Sequence, residues 1–233
     1  MRFQDLNWKD VESYLQIDNR VILITGSTEQ HAYLSLMTDI LIPSKIALAV
    51  AERESVLVAP PFNFGVAPHF EDFPGTISLS QETFDAVLYE IVESLMHQGF
   101  SNFLILNGHG GNQLPARIRA LSDDGDVHVE WLNWWESTAA KTMQTEIGMQ
   151  IDHANWGENF TFTRVGELPD ELRDAVKPPV NLELQDADER QTMREVLGDG
   201  SYGGAYQIDD RVTTQLYLNI VDEVCASIRA MKF

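Results

Sequence analysis

A glutamate, a histidine and an aspartate follow an apolar run near the start of the chain. Glu29 and His31 come just after the run "VILIT" at residues 21–25, and Asp39 lies a few positions further on. Residues two apart in an extended segment point to the same side, so Glu29 and His31 can reach one point. A carboxylate beside an imidazole suits zinc, manganese or iron. Asp39 alone is a good helix N-cap, but beside these two residues we favour a metal ligand.

A second candidate ligand is His109, in the stretch "NGHGGN" at residues 107–112. Glycines on both sides of a histidine allow a sharp turn and the close approach of a ligand, and we expect a positive φ at Gly110 or Gly111. A phosphate-binding loop is the competing interpretation, but its Lys and Ser/Thr are missing. We therefore interpret His109 as a metal-binding residue.

A third stretch, "DHANWGENF" at residues 152–160, contains His153 and Glu158. These two could supply a proton shuttle and a last metal ligand. The spacing is common by chance, so this stretch depends on the other two for its interpretation. A glycine-rich stretch, residues 198–206, is too irregular for a dinucleotide fingerprint and is expected to be a flexible loop.

The elements that must position these residues alternate along the chain. Short β-branched apolar runs predict strands, and apolar residues at helical spacing predict helices. The predicted strands are residues 21–25, 55–60, 102–107 and 127–132, and the predicted helices are residues 42–54, 81–98, 113–121 and 212–231. This order predicts an α/β fold with a mainly parallel sheet covered on both faces. Ligands bind beyond the carboxyl ends of such strands, where Glu29, His31 and His109 fall.

Composition limits the class of protein. The 233 residues fit a single domain, residues 1–233, with 44% hydrophobic residues and a net charge of −20. That charge repels nucleic acid and anionic lipid, so neither is an expected partner. The one cysteine, Cys225, can form no internal disulfide, and no apolar run resembles a signal or a membrane span. We expect a cytoplasmic protein.

The stretches "GSTEQH…LSLMTD", "FPGTISLS", "NGHGGN" and "HANWGE" together resemble the creatininase (creatinine amidohydrolase) family, in the right order. The resemblance implies an α/β/α sandwich, a divalent-metal centre of one or two ions, and often a hexameric homo-oligomer. It also implies hydrolysis of a C–N amide bond in a small polar substrate, by attack of a water activated by the metal.

Carried over residue by residue, the resemblance assigns a ligand set and a proton shuttle. The implied metal ligands are Glu29, His31, Asp39, His109 and Glu158, and the implied catalytic residues are His153 and Glu158. Apart from the resemblance, Tyr33, Gly110 and Trp156 are the candidate substrate contacts, and ordinary core packing is the alternative role of Trp156.

Several departures from the family pattern leave alternatives open. "HAYLSLMTD" is one residue short, with Tyr33 where a second histidine is expected, and Gly111 stands where creatinine-hydrolysing members carry a glutamate. Creatinine is therefore a doubtful substrate, and a formamide hydrolase is the alternative enzyme. A catalytically drifted metal- or ligand-binding protein on the same fold is the alternative from another class. Trp131, Trp134 and Trp135 could form a subunit contact or simply line the core or a pocket.

Overall fold

The computed structural model describes residues 1–125, 127–172, 175–182 and 192–231. Its main sheet has four strands, all parallel, in the order β2-β1-β3-β4. They are β1 (Arg20–Thr25), β2 (Leu57–Val58), β3 (Asn102–Asn107) and β4 (His128–Asn133). The predicted parallel sheet is confirmed, although β2 is shorter than predicted because the preceding helix runs to Glu54 and closes at Ser55 with a positive φ of 55°.

Helices cover both faces of this sheet, as predicted for an α/β/α sandwich. They are α1 (Trp8–Leu15), α2 (Thr38–Glu54), α3 (Gln81–Gln98), α4 (Ala116–Asp123), α5 (Thr138–Ile147), α6 (Met193–Leu197) and α7 (Asp210–Ala230). Helices α2, α5 and α7 pack on one face, and α1, α3 and α4 pack on the other.

Alternating side chains of the central strands build the two cores. Ile22 and Leu104 lie side by side in the register and face the core under α2, α5 and α7. Their neighbours Val21 and Phe103 point to the opposite core. The side chains alternate with a period of two, and every position but Arg20 is buried, so the strands read as continuous apolar runs.

Local signals fix the helix ends. The hydroxyl of Ser80 accepts a hydrogen bond from Thr83 N at the start of α3, and Gly99 ends that helix with a φ of 111°. Helix α2 begins at Thr38, earlier than predicted, so Asp39 lies in its first turn. The cap position belongs to Met37, which makes no side-chain capping bond. Capping is therefore the wrong interpretation of Asp39.

A smaller subregion lies beyond the main sheet. Strands β5 (Val176–Lys177) and β6 (Gly204–Ala205) pair in antiparallel fashion, and a third cluster joins Phe70, Leu197 and Tyr202. The acidic composition of residues 177–194 predicts an exposed segment, and residues 183–191 of it lie outside the described residues. Among the described residues, no helix combines the length and apolarity needed to cross a membrane.

Candidate metal centre

The two central strands deliver the first candidate ligands to one edge of the sheet. Thr25 and Asn107 are paired at the carboxyl ends of β1 and β3, so the loops after them start side by side. Glycines in these loops let α2 approach closely: a Cβ added at Gly26 or Gly108 would collide with the backbone carbonyl of Asp39. The close approach brings the first turn of α2 between the two loops.

Asp39 stands between two groups of possible ligands. In the first group, His109 Nδ1 lies 3.2 Å from Glu29 Oε2 and 3.0 Å from Asp39 Oδ2. In the second group, His31 Nε2 lies 2.9 Å from Asp39 Oδ1 and 3.6 Å from Glu158 Oε2. The donor atoms of each group lie within 4.8 Å of one another. Because its two oxygens face different histidines, Asp39 belongs to both groups.

Hydrogen bonds to the backbone orient both histidines. His109 Nε2 lies 2.9 Å from the carbonyl of Val66, and His31 Nδ1 lies 3.2 Å from the carbonyl of Glu29. A proton on each of these nitrogens makes it the donor and leaves the other nitrogen as a lone pair facing the carboxylates. This is the usual arrangement of metal-ligating histidines.

Unsatisfied buried atoms show that these residues fit a cation. With the histidine protons on the nitrogens that face the backbone, the short contacts of His31 and His109 with the carboxylates bring lone pairs together. Both carboxylate oxygens of Glu29, His31 Nε2 and Asp39 Oδ2 are then buried without a hydrogen-bond partner among the described residues. Such groups are costly unless something else satisfies them. The mixed set of imidazole and carboxylate donors suits zinc, manganese or iron.

The charges of the site shift the pKa values of its members strongly. Burial opposes protonation of His31, but the carboxylates of Asp39 and Glu158 outweigh it and raise its pKa to about 10. The pKa of His109 is raised well above its usual range, again against burial, by Glu29 and Asp39. Burial raises the pKa of Glu158 to about 8. Without a cation, protons therefore balance the buried carboxylates.

The loop after β3 differs from the sequence prediction. Neither Gly110 nor Gly111 has a positive φ, so that expectation is wrong. The turn is closed instead by Asn112, whose backbone N donates to the carbonyl of His109 at 3.2 Å. Gly111 is needed for space, because an added Cβ would meet His109 Nε2 at 2.6 Å and collide with the carbonyl of Val66. No glutamate fits there without movement, and Glu158 brings a carboxylate to the centre from another segment.

His153 lies beside the centre and is held on several sides. Its ring stacks between Phe70, at 4.3 Å between ring centroids, and Tyr202, at 5.7 Å. Its Nε2 lies 2.9 Å from the backbone carbonyl of Gln30 and 2.8 Å from the side-chain Nε2 of Gln30, and its Nδ1 lies 3.7 Å from Glu29 Oε1. With Glu29 and His31 it forms a third group whose donor atoms lie within 4.8 Å of one another. Burial first, and then the charge of His31, lower the pKa of His153 well below its usual range. Its surroundings therefore favour the neutral form of the ring.

The glycine-rich stretch 198–206 packs against this histidine. Tyr202 N donates to the carbonyl of His153 at 3.3 Å, and the carbonyl of Gly200 accepts from Gln30 Nε2 at 3.2 Å. Ser201, Tyr202 and Tyr206 are buried. The stretch thus forms part of the wall around His153, where the sequence predicted a flexible loop.

A cavity of about 590 Å³ opens onto the centre. Glu29, Asp39, His109, His153 and Glu158 line it, and so does the candidate substrate contact Gly110. The volume fits a small-molecule substrate.

Two of the candidate substrate contacts lie elsewhere. Trp156 is completely buried in the core, where its Nε1 donates to the carbonyl of Gln150 at 3.0 Å. Tyr33 borders a separate cleft with Arg164 and packs edge-on against Tyr206. Both assignments as substrate contacts are corrected, since neither residue lines the cavity.

Sequence reasoning missed several residues that shape the site. Phe70, Tyr202 and Asp152 line the cavity, and Gln30 orients His153. Phe70 and Tyr202 are far from His153 along the chain and carry no local signature of their contact with it. Gln30 was detectable in principle, because it stands between Glu29 and His31. Among the tryptophans considered for a subunit contact, Trp135 lines the cavity; Trp134 is buried in the core.

Comparison with known proteins agrees with the motifs. The family model of creatinine amidohydrolases, Creatininase, matches residues 4–228. The chain is 29% identical over 147 residues to creatinine amidohydrolase of Pseudomonas putida, covering 57% of this chain and 56% of that protein. It is 35% identical over 114 residues to the mycofactocin precursor peptide peptidase of Mycolicibacterium smegmatis, covering 45% and 46%. The chain thus spans about half the length of the curated relatives it matches.

Solved structures show the same fold. A structure described as creatininase Mn superposes with a TM-score of 0.75 at 22% identity, covering 98% of this chain and 97% of that chain. A mutant creatininase of Zn-Zn type gives a TM-score of 0.75 at 21% identity, covering 98% and 96%. At these identities the superposition establishes the fold.

Proposed function

Because the chain belongs to the creatininase family, we propose that it is a metal-dependent hydrolase of a C–N amide bond. Its substrate is a small polar molecule with a cyclic amide or a formamide group. The observation that carries the proposal is a set of buried carboxylate and imidazole atoms without hydrogen-bond partners, onto which the 590 Å³ cavity opens, with His153 beside them.

Five residues would hold the metal. Glu29, Asp39 and His109 form one ion site, and Asp39 with His31 and Glu158 forms a second. The amide N–H of Ala154 donates to Glu158 Oε2 at 2.6 Å and so orients this carboxylate. Manganese and zinc are the favoured metals, because solved creatininase structures are described as Mn and Zn-Zn forms. Imidazole and carboxylate ligands also suit iron.

Divalent cations at such a site supply Lewis acidity, which acidifies a water and polarises the substrate carbonyl. The protein's own part is proton transfer and orientation. His153 Nε2 lies between the carbonyl of Gln30, to which it can donate, and the side-chain Nε2 of Gln30, from which it can accept. In the tautomer with the proton on Nε2, His153 would present a free Nδ1 toward the Glu29 side of the centre. Nδ1 accepts a proton from the attacking water and passes it to the leaving nitrogen. Phe70 and Tyr202, which stack on His153, hold the ring in this position while the proton is accepted and then donated.

The test is a hydrolysis screen of the metal-loaded protein against lactams and formamides, with His153→Ala as the key variant. We expect metal content near that of the wild type and a fall in activity of about 10²-fold or more, the usual scale for a lost acid–base group. His128→Ala, which changes an exposed histidine on β4, is the matched control. Loss of metal in His153→Ala would reassign this residue as a ligand.

The alternative of a drifted binding protein predicts a different result. The wild-type protein would retain metal and show no hydrolysis of either substrate class. The proposal also includes a location in the cytoplasm, in keeping with the buried free thiol of Cys225. It further includes assembly into a homo-oligomer.

A further inference from the structure

Asp152 is a carboxylate in the cavity wall that the metal centre does not use. It lies directly before His153, and its Oδ1 accepts a hydrogen bond from the backbone N of His153 at 2.9 Å. A Cβ added at Gly203 would collide with its side chain, so the backbone of the glycine-rich stretch packs against it. The carboxylate is thus held in one place at the surface of the cavity.

Asp152 has no cation to balance it among the described residues. The other cavity carboxylates, Glu29, Asp39 and Glu158, each lie near a histidine of the centre. Asp152 forms no ion pair, and no lysine or arginine is found among the described residues that line the cavity. Burial raises the pKa of Asp152 to about 6, so the group remains ionised at neutral pH.

The surroundings of Asp152 suit a positively charged group. Trp135 and Tyr202 line the same cavity, and aromatic faces attract cations. Ile151 and Leu182 add apolar wall, which excludes water and strengthens a charge pair formed there. An anionic group would meet only repulsion from Asp152.

We propose that Asp152 is a specificity residue that binds a positively charged nitrogen group of the substrate, an ammonium, amidinium or guanidinium. This inference rests on the proposed function only in taking the same cavity as the substrate site. It adds that one end of the substrate is a cation, while the scissile amide bond lies at the metal centre.

Two probes of nearly the same shape, benzamidine and benzamide, test the inference without any turnover. Their affinities for the metal-loaded protein are measured by isothermal titration calorimetry in the wild type and in Asp152→Asn. A charge-assisted hydrogen bond corresponds to roughly a 10–100-fold preference for the cation. We expect that preference in the wild type and its loss in Asp152→Asn, whose amide oxygen can still accept from His153 N.

Asp123→Asn is the control for net charge, because Asp123 is exposed at the end of α4 and far from the cavity in the fold. It should keep the full preference for benzamidine. Equal affinities of the two probes in the wild type, or no binding of either, would overturn the inference without any use of a variant. An unchanged preference in Asp152→Asn would overturn it as well.

The proposed function is judged separately, by metal content and by the hydrolysis screen. A preference that depends on Asp152 in a protein without hydrolytic activity would leave this inference standing and refute the enzyme. Hydrolysis in a protein that binds both probes equally would support the proposed enzyme and refute this inference.

Discussion

At the scale of single residues, Asp39 organises the candidate metal centre. One of its oxygens faces His31 and the other faces His109, so the loss of either histidine leaves one carboxylate oxygen without its neighbouring imidazole. A buried carboxylate without a cation or proton is strongly disfavoured. The two histidines therefore serve both as candidate metal ligands and as the groups that face the Asp39 carboxylate.

We predict that the double variant His31→Ala/His109→Ala binds no divalent metal. It removes one nitrogen donor from each ligand group. Elemental analysis after purification in the presence of zinc or manganese measures the effect. The matched control is His97→Ala/His128→Ala, which removes two exposed histidines. Unchanged metal content in the first double variant would refute the ligand assignment.

At the scale of elements, the seating of α2 against the strand ends depends on glycines that give space. A Cβ at Gly108 would collide with the carbonyl of Asp39 and approach Pro43 Cγ to 2.9 Å. Both atoms belong to a helix, which cannot move without shifting Asp39. By contrast, an added Cβ at Gly110 meets nothing within 4 Å.

The matched pair Gly108→Ala and Gly110→Ala should therefore behave differently. We expect Gly108→Ala to lose about 1–3 kcal/mol of unfolding free energy, the usual cost of overpacking, and to bind metal more weakly. Gly110→Ala should be close to neutral in both respects. Chemical denaturation and metal titration measure the two effects. Equal tolerance of both changes would contradict this account of the loop.

The glycine-rich stretch is a second element whose packing matters. Tyr202 stacks on His153 and donates a backbone hydrogen bond to it. We predict that Tyr202→Ala lowers kcat about tenfold or more, since a displaced catalytic group loses its alignment. Tyr202→Phe keeps the ring and should retain most of the activity. Metal content should stay constant in both variants, and an equal loss of kcat in both would argue against stacking.

The sequence was informative wherever a signal was local. Neighbouring residues predict the strands that precede Glu29 and His109, and both strands are found. They also predict the helix N-cap at Ser80 and the helix end at Gly99, and both are found. Contacts between distant segments left no such signal. Phe70 and Tyr202 reach His153 only through folding, and the close approach of Val66 explains Gly111 better than its dihedral freedom does.

At the scale of the whole molecule, self-association remains a prediction, and the tryptophans are poor candidates for it. Leu36, Phe64 and Ile77 are instead exposed apolar side chains. Ile77 N donates to the carbonyl of Thr28 at 2.8 Å, and the carbonyl of Leu36 accepts from the next residue, Glu29 N, at 3.0 Å. Contiguous exposed apolar side chains often mark a protein contact.

We predict that light scattering at micromolar concentration gives a multiple of the 26.3 kDa chain mass. Leu36→Glu/Ile77→Glu should reduce the mass toward a single chain, because charges on an apolar contact oppose association. Val87→Glu, which changes an exposed apolar residue on α3, is the control. A 26.3 kDa particle in the wild type would refute self-association.

Helix α7 has a consequence for how the protein is made. It supplies Leu216, Ile220 and Val224 to the core that Ile22 and Leu104 face. At roughly 5–20 residues per second, translation reaches the end of α7 roughly 6–25 s after it has completed β3. During that interval one apolar side of the nascent sheet lacks its cover. A chain arrested by the ribosome between these two elements would therefore be a preferred client of chaperones that bind apolar segments.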